Sequence, residues 1–191
     1  MTTAINHTPI NSDQGNRMDK PILSFCASGS GIGKTTLLTK LIPILTERGL
    51  RISVIKHAHH SFDIDYPGKD SYRLREAGAV QMLLGSRKRW ALMTELSRIA
   101  DRDKEEDISL SELLAQLDQR LIDLILVEGF RYEGIPKIEI YRPSVNPLLL
   151  ADNDDTIIAV ASDGETDTKL PVLNLNNAEE IAEFILKLVN R

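Results

Sequence analysis

Apolar residues recur along this chain with two spacings that take turns. Residues 21–28, PILSFCAS, form a short unbroken apolar run. Such a run predicts a strand buried on both faces of a parallel sheet. From Lys34 to Arg48 the spacing changes to three and four, with Leu37, Leu38, Leu41, Ile42 and Leu45 in step, and Gly49 follows as a stop. This predicts a helix. Pro43 inside it removes one backbone donor and predicts a kink. RISVIKH (51–57) reads as the next strand, which completes a right-handed βαβ unit.

The pattern then loosens. Residues 57–70 hold no apolar period and read as a functional loop, followed by a short helix over 70–78 with Asp70 as its cap and Gly78 as its stop. Residues 79–96 divide at Gly85-Ser86-Arg87-Lys88 into two strands of a hairpin or edge pair. Residues 97–108 read as a charged, mobile loop. Ser109 and Glu112 have capping-box spacing, with Ile108 and Leu113 as the staple, and predict a helix reaching Arg120. Apolar runs at 121–130, 156–162 and 170–176 predict further parallel strands, and 135–142 alternates more but also reads as a strand. An amphipathic helix over 178–190, with Ile181, Phe184, Ile185 and Leu188 on one face, closes the chain. Helices alternating with short apolar strands place the fold in the α/β class.

Composition narrows the function classes. The chain has 191 residues, 42% hydrophobic and 27% charged, enough for one domain with a real core. Its net charge of −5 argues against a nucleic-acid or membrane-surface binder. One cysteine, Cys26, excludes an internal disulfide and suits a reducing, cytoplasmic compartment. No run is long enough to span a membrane. Residues 1–20 are polar, lack the apolar stretch of a secretory signal, and read as a disordered lead or as sequence upstream of a start at Met18. Residues 21–191 then form a single domain.

The first strand and helix are joined by Ser28-Gly29-Ser30-Gly31-Ile32-Gly33-Lys34-Thr35-Thr36. This is the GxxxxGK[ST] phosphate loop with Ser28 in place of its first glycine. Glycines permit positive φ and close approach to phosphate oxygens, and the helix N-terminus adds its positive end. The lysine reaches the β- and γ-phosphates, and the hydroxyl residue binds magnesium. Gly29 stands next to Ser28 and is expected to restore part of the lost flexibility. The fold class is therefore a P-loop NTPase-type, mostly parallel sheet flanked by helices. An inserted β-rich arm or hairpin falls within 57–96, 131–150 or both. The acidic partner of the loop is expected at Glu128, where LILVEGF ends its strand and Gly129 lets the chain pass close to a phosphate. Asp123 lies at the other end of that strand and reads as a cap or salt-bridge partner.

His57, His59, His60, Asp63 and Asp65 gather after the second strand. They are metal-capable, but their spacing is no zinc signature, and Asp63 and Asp65 suit magnesium or its waters. A polar loop at the mouth of the site is the competing reading. Lys56, Lys69 and Arg73 are phosphate contacts or surface charges. The cluster Arg87-Lys88-Arg89-Trp90 reads as a solvated hairpin tip or an anion contact.

Together GSGIGKTTLLTKLIPIL, VIKHAHHSFDIDYPGKDSYRLREAGA, RWALMTE and DLILVEGF resemble the molybdopterin-guanine dinucleotide biosynthesis protein B family, MobB, over residues 21–190. The resemblance implies a homodimeric GTP-binding protein with weak, magnesium-dependent GTPase activity. It implies an adaptor role in molybdenum-cofactor biosynthesis beside a MobA-type guanylyltransferase, with molybdopterin or its guanine dinucleotide as a further ligand. The family's functional residues fall on Gly31, Gly33, Lys34, Thr35, Thr36 and Glu128. Arg131 stands where the family has lysine. The Asn-Lys-x-Asp signature that reads guanine elsewhere is absent, and Asp163, after IIAVAS, is either a guanine acceptor or a strand-end cap. A P-loop small-molecule kinase, with Arg98 and Arg102 in a lid over 97–108, is one competing function. A metal-delivery NTPase and a structural adaptor with a dead nucleotide site are the others.

Overall fold

The computed structural model describes residues 20–58, 62–100 and 107–190. They divide into two compact units: residues up to Lys56 with those from Leu110 onward, and residues His57–Ser109. The expected lead at 1–20, His59, His60 and Arg102 lie outside the described residues, Lys20 apart.

The first unit is built on β1 (Ile22–Cys26), α1 (Lys34–Glu47), β2 (Ile52–Lys56), α3 (Leu110–Leu114), β5 (Leu124–Glu128), β6 (Lys137–Tyr141), β7 (Ile157–Ser162), β8 (Val172–Asn174) and α4 (Ala178–Val189). Its sheet runs β2-β5-β1-β6-β7-β8, every pairing parallel. β1 sits inside the sheet with β5 and β6 as neighbours. The two-residue period divides its faces. Leu124 and Leu126 join Leu23, Phe25, Ile138 and Ile140 against Leu37, Leu41 and Leu45 of α1 and Ile181 and Ile185 of α4. Ile125 and Val127 face the other way, with Ile55, Ile122 and Leu110. Residues buried on both faces need the continuous apolar runs that the sequence shows.

Three expectations change. The more alternating stretch 135–142 supplies β6, a wholly buried interior strand. It alternates because Lys137 and Glu139 are buried with partners. Lys137 Nζ donates to Glu133 O at 2.6 Å and to Thr156 Oγ1, while Glu139 accepts the amides of Leu150 and Ala151, each at 2.8 Å. Segment 131–150 therefore builds the main sheet, not an arm. The helix expected to reach Arg120 ends at Leu114. Gln116 and Leu117 bond three residues back, to Leu113 and Leu114, and Asp118 caps a 3₁₀ turn at Gln119–Leu121. As the spacing predicts, α1 runs through Pro43 to Glu47, and the Thr46 hydroxyl donates to the carbonyls of Ile42 and Pro43.

The second unit holds α2 (Asp70–Glu76) and the antiparallel hairpin β3 (Gln81–Gly85) and β4 (Trp90–Thr94). Lys69, not Asp70, occupies the cap position of α2, and Asp70 stands in its first turn. Arg75 anchors the unit, donating to Asp63 and Glu95 at 2.8 Å each. Leu83, Trp90 and Leu92 share one face of the hairpin and are exposed. Among the described residues, no helix is long and apolar enough to cross a membrane.

Candidate functional site

The ends of β1, β2 and β5 meet at their carboxyl side, where ligands of open α/β sheets collect. β1 runs into the loop 27–33, and α1 begins with the bond from Leu37 N to Gly33 O at 2.9 Å. Gly31 and Gly33 have φ of 74° and 112°, which side chains rarely adopt. Gly29 has no such angle, and a Cβ added there would meet only Ile32 Cγ1 at 4.0 Å. The turn draws its freedom from Gly31 and Gly33, so Ser28 needs no compensation from Gly29. What Gly29 supplies is its carbonyl, which accepts from Lys34 Nζ at 3.0 Å. No acidic residue of α1 itself stands in its first turn. Ser30, Ile32 and Thr36 lie in the same loop and first turn; Ile32 is buried, and Ser30 and Thr36 are exposed.

Glu128 closes β5 in register with Phe25 of β1 and Lys56 of β2. Pairing of β1 with β5 therefore sets Glu128 beside the start of α1. The Thr35 hydroxyl lies 2.8 and 3.0 Å from the two Glu128 carboxylate oxygens. Lys56 Nζ donates to Glu128 Oε1 at 2.7 Å and to Thr35 Oγ1 at 3.3 Å. A hydroxyl and a carboxylate are hard oxygen donors of the kind magnesium takes, and the Lys56 ammonium already lies against both. The chain then turns sharply, with φ of 103° at Gly129 and 52° at Phe130. A left-handed Phe is strained by about 1–2 kcal/mol, and half-burial of its ring near Ile125 and Val127 holds it.

Sequence reasoning treated Lys56 as a phosphate contact or a surface charge, and the structure gives it to the Thr35–Glu128 pair. Arg142, the residue after β6, carried no sequence signal, because its neighbourhood depends on strand order. Its guanidinium lies beside Gly33 and 3.6 Å from Asp163. Asp123 forks with Arg51, accepting from its backbone N, Nε and Nη2 at 2.9, 2.8 and 2.7 Å. Those bonds hold its carboxyl well below the usual range. Burial pushes the Cys26 thiol up to about 12. Arg131 stacks over Tyr132 at 5.6 Å.

In the second unit, Asp63 accepts from Arg75 and from Asp65 N, and Asp65 accepts from Ser71 Oγ at 2.9 Å and Tyr66 N. His57 Nε2 lies 2.8 Å from the Asp107 carboxylate. Among the described residues, no group of three or more His, Cys, Asp or Glu is placed to hold a metal.

The model of the family described as molybdopterin guanine dinucleotide synthesis protein B matches residues 22–163. The molybdopterin-guanine dinucleotide biosynthesis adapter protein of Escherichia coli (strain K12) is 46% identical over 173 residues, 90% of this chain and 94% of that protein. Its namesake in Haemophilus influenzae (strain ATCC 51907 / DSM 11121 / KW20 / Rd) is 44% identical over 156 residues, 82% of this chain and 83% of that protein. A crystal structure of molybdopterin-guanine biosynthesis protein B superposes with a TM-score of 0.66 at 30% identity, over 87% of this chain and 99% of that one. The parallel sheet, the glycine-rich loop and the acid facing it thus come with matches over most of the chain's length, and the chain belongs to the molybdopterin guanine dinucleotide synthesis protein B family, MobB.

Proposed function

We propose that this protein is a cytoplasmic GTP-binding adaptor of molybdopterin-guanine dinucleotide biosynthesis, with weak GTPase activity. It would work as a homodimer beside a MobA-type guanylyltransferase, and molybdopterin or its dinucleotide would be a further ligand. The adaptor role follows the names of its relatives. The observation that carries nucleotide binding is the contact of Thr35 with Glu128, 93 residues apart, under a loop with positive φ at Gly31 and Gly33. A glycine-rich turn arising by chance would not bring its hydroxyl onto a carboxylate at the end of the neighbouring strand.

In this reading the amides of residues 29–36 cradle the triphosphate, and the Lys34 ammonium leaves the Gly29 carbonyl for the phosphate oxygens. Thr35 and Glu128 hold magnesium, which supplies neutralising charge. Binding and orientation come from the protein's dipoles, and hydrolysis is electrostatic. Glu128 is already tied to Thr35 and Lys56, so it is poorly placed to activate a water, consistent with slow turnover. The exposed face of Leu83, Trp90 and Leu92 on the β3–β4 hairpin supports self-association.

Calorimetry of GTP and ATP in magnesium tests the nucleotide reading. Wild-type protein is expected to bind GTP in preference to ATP, and Lys34→Ala is expected to lose GTP binding while keeping its circular dichroism. Equal GTP affinity in the two proteins would refute it.

A further inference from the structure

Neighbouring strands deliver a row of groups at one end of the sheet. Lys56 ends β2, Glu128 ends β5, the phosphate loop follows β1, Arg142 follows β6 and Asp163 follows β7. The first three have roles in the reading above. The last two lie on the opposite side of the loop and are unexplained by it.

The Arg142 guanidinium rests against the loop itself. A Cβ built on Gly33 would stand 3.8 Å from Arg142 Nη2 and 3.9 Å from Nε. On its other side is Asp163, with a carboxylate oxygen 3.6 Å from Nε. That separation is too long for a hydrogen bond, and the buried Nε–H has no partner. Other arginines of this protein reach hydrogen-bonding distance when they pair: Arg51 forks onto Asp123 at 2.7–2.8 Å, and Arg75, although its own Nε–H is also unpartnered, holds two carboxylates at 2.8 Å through its terminal nitrogens. Arg142 is attracted to Asp163 without being clamped by it.

The backbones carrying the two groups are firmly set. The Arg142 carbonyl accepts from Val145 N and Asn146 N, each at 2.9 Å. Ser162 Oγ accepts from Gly164 N at 3.1 Å and donates to Gly164 O at 3.0 Å. Gly164 lies so close to Pro143 that a Cβ would fall 2.6 Å from Pro143 Cγ. Two fixed turns thus hold a cation at the lip of the phosphate loop, with its donors unspent and 36% of its side chain exposed. A planar guanidinium with free donors suits paired phosphate oxygens, as a lysine point charge does not.

We propose that Arg142 is a second phosphate-binding cation of the cradle, and that Asp163 is its positioning residue rather than a reader of guanine. The ligand class is a nucleoside di- or triphosphate, so the inference rests on the nucleotide-binding reading above. Asp163 holds the guanidinium beside Gly33 while the cradle is empty and yields it to phosphate when the cradle fills.

The test is calorimetry of GTP, GDP and XTP on the wild-type protein and on Arg142→Gln, Arg142→Lys and Asp163→Asn, with circular dichroism as the fold check. Arg142→Gln is expected to weaken GTP about 10- to 100-fold, the loss of a charge-assisted contact. Arg142→Lys is expected to recover part of that, which also serves if the glutamine variant folds poorly. Asp163→Asn is expected to weaken GTP and XTP by the same factor, about tenfold or less, leaving their ratio unchanged. An asparagine that inverts the preference toward XTP would show Asp163 reading the base and overturn the assignment. Wild-type affinity in Arg142→Gln would overturn it too. A wild-type protein that binds no GTP would instead sink the nucleotide reading itself, a result distinguishable from both.

Discussion

Lys56→Met is expected to tighten magnesium binding. The Lys56 ammonium lies 2.7 Å from Glu128 Oε1 and 3.3 Å from Thr35 Oγ1, the oxygens proposed to hold the ion. One pair of donors cannot serve both cations at full strength. A unit charge about 4 Å from a divalent ion repels it by about 2 kcal/mol in water and about 8 kcal/mol at an effective dielectric of 20. The Lys56 side chain is 55% exposed and free to swing outward, so the water-like end applies. Relaxation of the lysine leaves about 1–2 kcal/mol, a roughly 5- to 30-fold gain in affinity on removing the charge. The assay is a Mn²⁺ titration of the GDP complex, following free Mn²⁺ by its paramagnetic resonance. GDP is chosen because it lacks the γ-phosphate, where a displaced lysine would gain a new partner. The ion-free Met variant should also unfold more easily by about 1 kcal/mol, since Glu128, only 11% exposed, loses its ion partner. Unchanged or weaker Mn²⁺ binding in a folded variant would refute the competition.

Two further predictions follow from burial. Cys26, with its thiol pushed up to about 12, should resist a thiol reagent at pH 8 in the native protein and react once per chain in denaturant; rapid native labelling would contradict its burial. Because the folded thiol keeps its proton longer than the unfolded one, stability should fall as pH climbs above the ordinary thiol value near about 8.5, a trend that Cys26→Ser should flatten. Glu139→Ala should cost about 2–4 kcal/mol in urea unfolding, since it orphans the amides of Leu150 and Ala151. Burial raises the Glu139 carboxyl, so the deficit should shrink as pH rises through the acid range, where the wild type must carry a buried charge.

The sequence made some of this legible because the relevant physics is local. The spacing of Leu37, Leu38, Leu41 and Leu45 follows helix geometry, and these residues are buried in α1. Glu128 was identifiable because it ends a continuous apolar run, and the parallel register brings it to Thr35. Where charge sits inside the sheet, the pattern misleads. Lys137 and Glu139 made an interior strand look half-exposed, since their partners at 133, 150, 151 and 156 are not visible in strand periodicity. Arg142 was invisible for a different reason. Only the order β1-β6-β7 makes it a neighbour of Gly33 and Asp163, and order is a property of the assembled sheet. The pairing of Asp63 with Arg75, and of one Asp65 oxygen with Ser71, is likewise a product of the fold that the spacing of the acids does not display.

The central place of β1 has a consequence for the newborn chain. Among the described residues, β1 pairs only with β5 and β6, and β2 only with β5, so neither meets a strand partner there until residues 124–128 have been made. The β3–β4 hairpin, by contrast, has both strands within 81–94. At about 5–20 residues per second, roughly a hundred residues between β1 and β5 mean about 5–20 s of waiting on the ribosome. The inserted unit is therefore positioned to fold first, while the glycine loop stays open chain. Grip on a nucleotide therefore waits for β5, and a truncated product that stops before Leu124 has β1 and β2 but not the strand that joins them.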